Sequence, residues 1–265
     1  MKQLLPFSFG GPWALLVAFW LLLGLRAQAQ TPTWQTAVAA TGTVAVQATA
    51  AATDGTSIFL AGNFTGTATF GSTTLTTTAS QQVFVAKWSL TTNSFVWAVQ
   101  GTSSGAGQAS AAAISVSGTV IYVAGSFTST TLQLGSTAAL TNAQAGTSDG
   151  FVARFFDSGS AANASWSRRL GGPGNDYANA ILYTPSNIIC VGGSSGGNAV
   201  FSPSYTLAGT GGFVANYLSL GTVAAQPVLA GGSVTALSYA NNSVYAAGTF
   251  GSATATVLGS VNSRW

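Results

Sequence analysis

The side chains that ordinarily carry acid–base, nucleophilic or metal chemistry are almost missing from this sequence. It has no histidine and no glutamate, its carboxylates are Asp54, Asp149, Asp157 and Asp176, and its single thiol is Cys190. Without histidine the commonest general base and the commonest metal ligand are both gone. Serine is abundant but has no histidine or lysine motif to activate it. Asp54 and Asp149 each precede a glycine and Asp157 precedes Ser158-Gly159, so all three read as turn residues. Asp176, in Gly174-Asn175-Asp176-Tyr177, reads as a loop cap before a strand. Glycoside hydrolysis needs two carboxylates flanking one bond, and the spacing of these four predicts no such pair. Calcium takes about six to eight oxygens, often from carboxylates close in sequence, and there is no Asp-rich loop. Gly192-Gly193-Ser194-Ser195-Gly196-Gly197 follows no phosphate-loop pattern and precedes no helix, so a flexible hairpin loop is expected. Cys190 lies in the apolar run Ile188-Ile189-Cys190-Val191, as a small buried hydrophobe would. No catalytic, cofactor-binding or metal-ligating residue is predicted, and no cofactor.

Charge narrows the partners. Charged residues make up only 4% of the chain, while hydrophobic residues make up 47%, a profile opposite to that of a disordered chain. Lys2 and Arg26 fall in the segment that reads as an export leader. Lys87, Arg154, Arg168, Arg169 and Arg264 then face four aspartates, leaving a net charge of +1. Arg168 and Arg169 are the only adjacent pair and read as solvated charges at a strand end. There is no basic patch for nucleic acid.

The first 29 residues read as a signal peptide. Lys2 supplies the positive end, Trp13 to Leu25 the apolar run, and Ala27-Gln28-Ala29 the cleavage site, leaving Gln30 as the new terminus. The apolar run is shorter than the ~20 residues a helix needs to cross a bilayer. No later stretch is apolar enough to span, so no membrane span is expected once the leader is removed. The chain is expected to be secreted or held at the cell surface.

The elements that would position any site come from an internal repeat. An apolar run closing in a small residue and glycine occurs at Ile58-Phe59-Leu60-Ala61-Gly62, Ile121-Tyr122-Val123-Ala124-Gly125 and Val244-Tyr245-Ala246-Ala247-Gly248, with a looser copy at Ile188-Ile189-Cys190-Val191-Gly192. A second marker keeps the same phase at Phe84-Val85-Ala86, Phe151-Val152-Ala153 and Phe213-Val214-Ala215. A third is the tryptophan at Trp34, Trp97 and Trp166, which is lost near Gln226-Pro227-Val228. A fixed period of roughly 62 residues implies a solenoid, propeller or array. The region 30–265 then divides into units of about four strands at 48–98, 109–167, 177–230 and a partial 235–265, with residues 33–38 as a possible ring-closing strand. In the third unit strands are expected at Tyr177 to Tyr183, Asn187 to Gly192, Gly212 to Leu218 and Ala224 to Ala230. Thr53-Asp54-Gly55-Thr56 predicts a hairpin turn, and an extra small hairpin should turn at Gly71-Ser72. Val-, Ile-, Phe-, Tyr- and Thr-rich strands with no helical period predict an all-β fold, a β-propeller of four-stranded blades of about 62 residues. The Ala and Gly closing each second strand suit a crowded inner position. Trp97 and Trp166 should occupy equivalent places between successive sheets.

Ile121-Tyr122-Val123-Ala124-Gly125, Thr67-Ala68-Thr69-Phe70-Gly71-Ser72, Val83-Phe84-Val85-Ala86-Lys87-Trp88 and Trp97-Ala98 together resemble the bacterial β-propeller repeats called SBBP. The resemblance runs over nearly all of the chain after the leader, with the third unit degraded and the fourth stopping before its third strand. It implies an exported protein of Bacteroidetes-like bacteria, often carrying a C-terminal sorting or adhesion module, and it supplies no catalytic residue. With the last unit cut short at Arg264-Trp265, the chain reads as a fragment of a longer protein. The expected function is a non-catalytic extracellular scaffold or binding module for a glycan or a surface protein. The alternatives are a structural or adhesive surface protein, and the N-terminal part of a secreted enzyme whose catalytic residues lie elsewhere.

Overall fold

The computed structural model describes residues 40–42, 45–105, 107–230 and 232–249. The expected leader, the strand at 33–38 with Trp34, and the last unit beyond Thr249 lie outside the described residues. The protein is all-β, with no helix among the described residues. The first unit holds β1 (Thr41–Gly42), β2 (Val46–Thr53), β3 (Ser57–Phe64), β4 (Thr67–Phe70), β5 (Thr73–Thr76), β6 (Gln82–Ser89) and β7 (Ser94–Ser104). The second holds β8 (Ala109–Ser117), β9 (Val120–Phe127), β10 (Thr131–Leu134), β11 (Leu140–Thr141), β12 (Asp149–Asp157) and β13 (Ala162–Leu170). The third holds β14 (Tyr177–Tyr183), β15 (Ile188–Ser195), β16 (Ala199–Ser202), β17 (Tyr205–Leu207), β18 (Gly211–Leu218) and β19 (Val223–Ala230), and the fourth β20 (Ser233–Ala240) and β21 (Ser243–Thr249).

Each of the first three units builds an antiparallel meander: β2-β3-β6-β7, β8-β9-β12-β13 and β14-β15-β18-β19. The fourth contributes the pair β20-β21. Small hairpins fill the links between second and third strands, and β4–β5 turns at Gly71-Ser72 as expected, with Gly71 at φ +60°. Each hairpin docks on the chain just ahead of its own four-stranded meander. β10 pairs with the end of β7 and Val200 of β16 bridges to Gly171, just past β13, while β4 pairs with β1 in the same way. Apolar cores lie between consecutive sheets. One joins Phe59, Val85 and Trp97 to Ile121, Phe151 and Phe155, and the next joins Tyr122 and Trp166 to Ile189, Phe213 and Tyr217.

A β-bulge recurs in every first strand. The pairing slips between Ala48 and Ala50, Ala111 and Ala113, Ala178 and Ala180, and Val234 and Ala236, leaving Thr49, Ala112, Asn179 and Thr235 unpaired. A bulge bends its strand and tightens the local twist. Here it also explains the repeated glycine. A Cβ on Gly62, Gly125, Gly193 or Gly248 would run into the carbonyl oxygen of Gln47, Ser110, Tyr177 or Ser233, just ahead of the bulge. The glycine is therefore demanded by close backbone approach within its own sheet, rather than by crowding where sheets converge. It also corrects the phase of the third unit. Gly193, not Gly192, lies opposite Phe213, as Gly62 and Gly125 lie opposite Phe84 and Phe151. Both glycines sit within β15, so Gly192 to Ser195 form strand rather than flexible loop.

The bulge residues also tie one sheet to the next. Thr49 Oγ1 donates to the Ala111 carbonyl at 2.6 Å, and Asn179 Nδ2 donates to the Val234 carbonyl at 3.1 Å. Ala112 holds the intervening place and has no donor. Ala112→Thr is therefore expected to add the missing bond to Ala178 and raise the unfolding free energy by about 0.5–1.5 kcal/mol. Equilibrium urea unfolding of both proteins measures this, and a neutral or destabilising result refutes the equivalence of the bulges.

Trp97 and Trp166 occupy equivalent places. Each follows a bulge in a fourth strand and packs on the aromatic at one register position of its own sheet. Trp97 lies 6.1 Å from Phe59 at 49°, and Trp166 lies 6.3 Å from Tyr122 at 47°. Each indole N–H then reaches the end of the third strand in the next sheet, Trp97 to Asp157 Oδ1 at 3.0 Å and Trp166 to the Ser219 carbonyl at 2.8 Å. In the third sheet the tryptophan's register position falls at Ala225, one residue before the expected place, and Cys190 stands where Phe59 and Tyr122 stand. The wedge and its partner are lost together, which accounts for a buried thiol at that point.

Candidate functional site

The structure gathers most of the scattered charges into two clusters, both at the joints between units, while Arg154 donates to Ser165 Oγ within its own sheet. The first lines an open groove of about 670 Å³ between the first and second units. Its walls are the β2–β3 turn with Asp54 and Thr56, the β8–β9 turn with Gly118 and Thr119, the end of β12 with Phe156 to Gly159, and Lys87 of β6. Lys87 Nζ lies 2.6 Å from Asp157 Oδ2 and 5.6 Å from the centroid of the Phe59 ring. Asp157 Oδ1 accepts from the Trp97 indole and from the Gly159 amide at 2.9 Å. Asp157 does hold its turn, as expected, but it is also a buried ion-pair partner 70 residues from its lysine. A buried pair of this kind holds its geometry because removing one partner strands the other charge.

Asp54 sits at the groove's exposed edge. Its Oδ1 accepts from the Thr56 amide, the Thr56 hydroxyl and the Ser57 amide at 2.7–2.9 Å, as the Asp-Gly turn reading requires. Burial works to raise its pKa, but the hydrogen bonds from Thr56 and Ser57, with the Lys87 charge, outweigh that and hold it below the ordinary carboxylate value. The Phe156 ring, 43% exposed, stands beside it. The alternation of β12 places Phe156 on the face opposite the buried Phe155, and no marker of the repeat singled it out.

The second cluster lies between the second and third units and departs from expectation. Asp149 opens β12 and is fully buried, so it is not an exposed turn residue. Arg169 bonds its Oδ2 at 3.0 Å and is half-buried, so it is not a freely solvated charge. Arg168 remains exposed, with its guanidinium over the Trp166 ring at 5.7 Å and Nε on the Gly221 carbonyl. Asp176 caps its loop as expected, accepting from the Gly172 and Gly196 amides at 2.8 and 3.0 Å. Burial, opposed by the Ala143 amide and Arg169 and reinforced by Asp176, raises the pKa of Asp149. No group of three or more Asp, Cys, His or Glu side chains converges among the described residues.

Cys190 is buried against Ile188 and Val244, and burial pushes its thiol up to about 12. It is an inert core residue, as its neighbours in the sequence suggest. Among the described residues no helix is long and apolar enough to cross a membrane. No protein-family model and no curated protein matches the chain.

Proposed function

We propose that the chain is an exported, non-catalytic β-propeller scaffold, of the kind the SBBP resemblance implies, that binds a neutral glycan in the groove between its first two units. The composition of that groove carries the reading. An outward aromatic ring offers a flat apolar face. Around it stand the hydroxyls of Thr56, Thr119 and Ser158, the Asp54 carboxylate and the Lys87 ammonium, donors and acceptors suited to sugar hydroxyls. Sites with a few convergent polar groups beside an aromatic are the ordinary form of a small-ligand pocket.

Recognition suits these residues better than hydrolysis. Asp157 has both oxygens engaged by Lys87, Trp97 and Gly159. Asp54 is held in its ionised form by its hydrogen bonds, so it is not poised to donate a proton near neutrality. The propeller reading draws on the four-stranded meanders, on first strands that succeed one another from unit to unit, and on tryptophans that reach from each sheet into the next. Export draws on the leader, and surface or secreted location on export.

Phe156→Ala tests the site. On an array of neutral polysaccharides, the full chain should bind at least one class of glycan, and the variant should bind it at least about tenfold more weakly, the equivalent of about 1.4 kcal/mol. Because the ring is exposed, urea unfolding of the variant should match that of the parent chain. Absence of any glycan binding, or full binding by Phe156→Ala, overturns the proposal.

A further inference from the structure

The joint between the second and third units buries two carboxyl groups against a single guanidinium, that of Arg169. Asp149 and Asp176 are both 0% exposed. Asp149 Oδ2 is engaged by the Ala143 amide at 2.6 Å and by Arg169, but Oδ1 is buried with no hydrogen-bond partner. The two carboxylates converge over the bare Cα of Gly171. A methyl group there would overlap Asp149 Oδ1 and stand 3.1 Å from Asp176 Oδ2. Two buried carboxyl groups face one guanidinium there, an arrangement that is strongly unfavourable in the ionised form unless something positive joins them.

The preceding joint carries a neutral version of the same place. Gln82 stands two residues before Phe84 as Asp149 stands two before Phe151, and each lies opposite the phenylalanine that closes its sheet's second strand. Gln82 is satisfied by neutral groups: its Nε2 donates to Ser103 Oγ and its Oε1 accepts from the Val83 amide, both at 3.0 Å. The fold therefore does not need a carboxylate at this position to close a joint. The orphaned oxygen is particular to the second.

We propose that Asp149 Oδ1 and Asp176 Oδ2, facing each other across Gly171, bind one hard cation of the calcium class, which fastens the third unit to the second. Oxygen-only ligands select such ions, and water completes the shell where protein oxygens run short. Glycine at 171 keeps the cradle open. The sequence conceals the site because its two carboxylates come from different units and stand 27 residues apart, one reading as a turn and the other as a loop cap.

The test is a titration of the full chain, stripped with a chelator in low-sodium buffer, with CaCl₂. A one-to-one isotherm is expected by calorimetry, with Kd on the order of 10⁻⁴–10⁻³ M as in extracellular calcium modules. At tenfold excess over Kd the thermal midpoint should rise by about 3–6 °C. Asp149→Gln, which copies the preceding joint, should lose both responses while matching the calcium-free parent in unfolding. Asp176→Asn, which keeps an acceptor for the Gly196 amide, should weaken binding at least about tenfold and serves if the first variant does not fold. Asp54→Asn, in the groove, should bind calcium as the parent does. The proposal is overturned by the absence of heat and of any midpoint shift up to about 10 mM CaCl₂, or by unchanged binding in both joint variants. It is equally overturned if stability climbs as the pH falls through the Asp149 titration and ignores calcium, which marks a proton shared between the two carboxyls.

Discussion

Trp97→Ala will lower the unfolding free energy by about 3–5 kcal/mol, the range for deleting a large buried aromatic. The ring is 4% exposed and is part of the core shared by the first two sheets. Its loss opens a cavity against Phe59 and Phe155 that flanking strands, fixed by ladders on both sides, have little freedom to close. It also removes the indole donor to Asp157 Oδ1, leaving that carboxylate to Lys87 and the Gly159 amide. Trp97→Phe separates the two effects: it keeps most of the volume and loses only the donor, so its cost should be about 1.5 kcal/mol, that of a hydrogen bond to a charged acceptor. Equilibrium urea unfolding of the three proteins measures both numbers. A cost below about 1 kcal/mol for Trp97→Ala would show that the wedge does not join the sheets. Trp166→Ala should behave alike, with the difference that its acceptor is a backbone carbonyl and no charge is stranded.

The repeat and the existence of most strands were legible because each marker has a strong local cause. An Asp-Gly turn at Asp54-Gly55, a two-residue turn at Gly71-Ser72 and a strand of mostly apolar and aromatic residues at Tyr177–Tyr183 are determined by their own residues. The bulge was not legible, since one extra residue in the Ala-rich strand Val46–Thr53 leaves no mark on a pattern already made of small side chains. That ambiguity displaced the glycine of the third unit, because Gly192 and Gly193 are alike until the register with Phe213 distinguishes them. The charge clusters were hidden for a different reason. Lys87 and Asp157 meet across 70 residues and two sheets, and no local pattern reports a contact formed only when units pack. The turn reading of Asp149 rested on its neighbour Gly150, yet the residue opens a strand and is buried by the following unit. What decided each aspartate was which joint its unit closes, not which residue follows it.

Gly125→Ala should be among the most disruptive single-methyl substitutions in the described chain, costing about 3 kcal/mol or more, the upper end for overpacking. Its φ lies outside the left-handed region, so the cost is not conformational. The added Cβ collides with the Ser110 carbonyl and comes within 2.8 Å of the Phe151 ring and 2.9 Å of the Ala111 Cα. A flexible side chain can yield to an added methyl for about 1–3 kcal/mol. Here two of the three obstacles are backbone atoms locked in the bulge, and moving them would undo the pairing of β8 with β9. Gly146→Ala gives the contrasting case: its φ of +86° penalises any side chain, but nothing lies within 4 Å of the new Cβ, so about 1–2 kcal/mol is expected from the backbone alone. If Gly125→Ala costs no more than Gly146→Ala, the bulge yields readily and cannot be what fixes glycine at this position. If it costs more, the same bulge geometry, repeated at Gly62, Gly193 and Gly248, makes that glycine a requirement of every unit, and the marker that revealed the repeat is the residue its backbone could least spare.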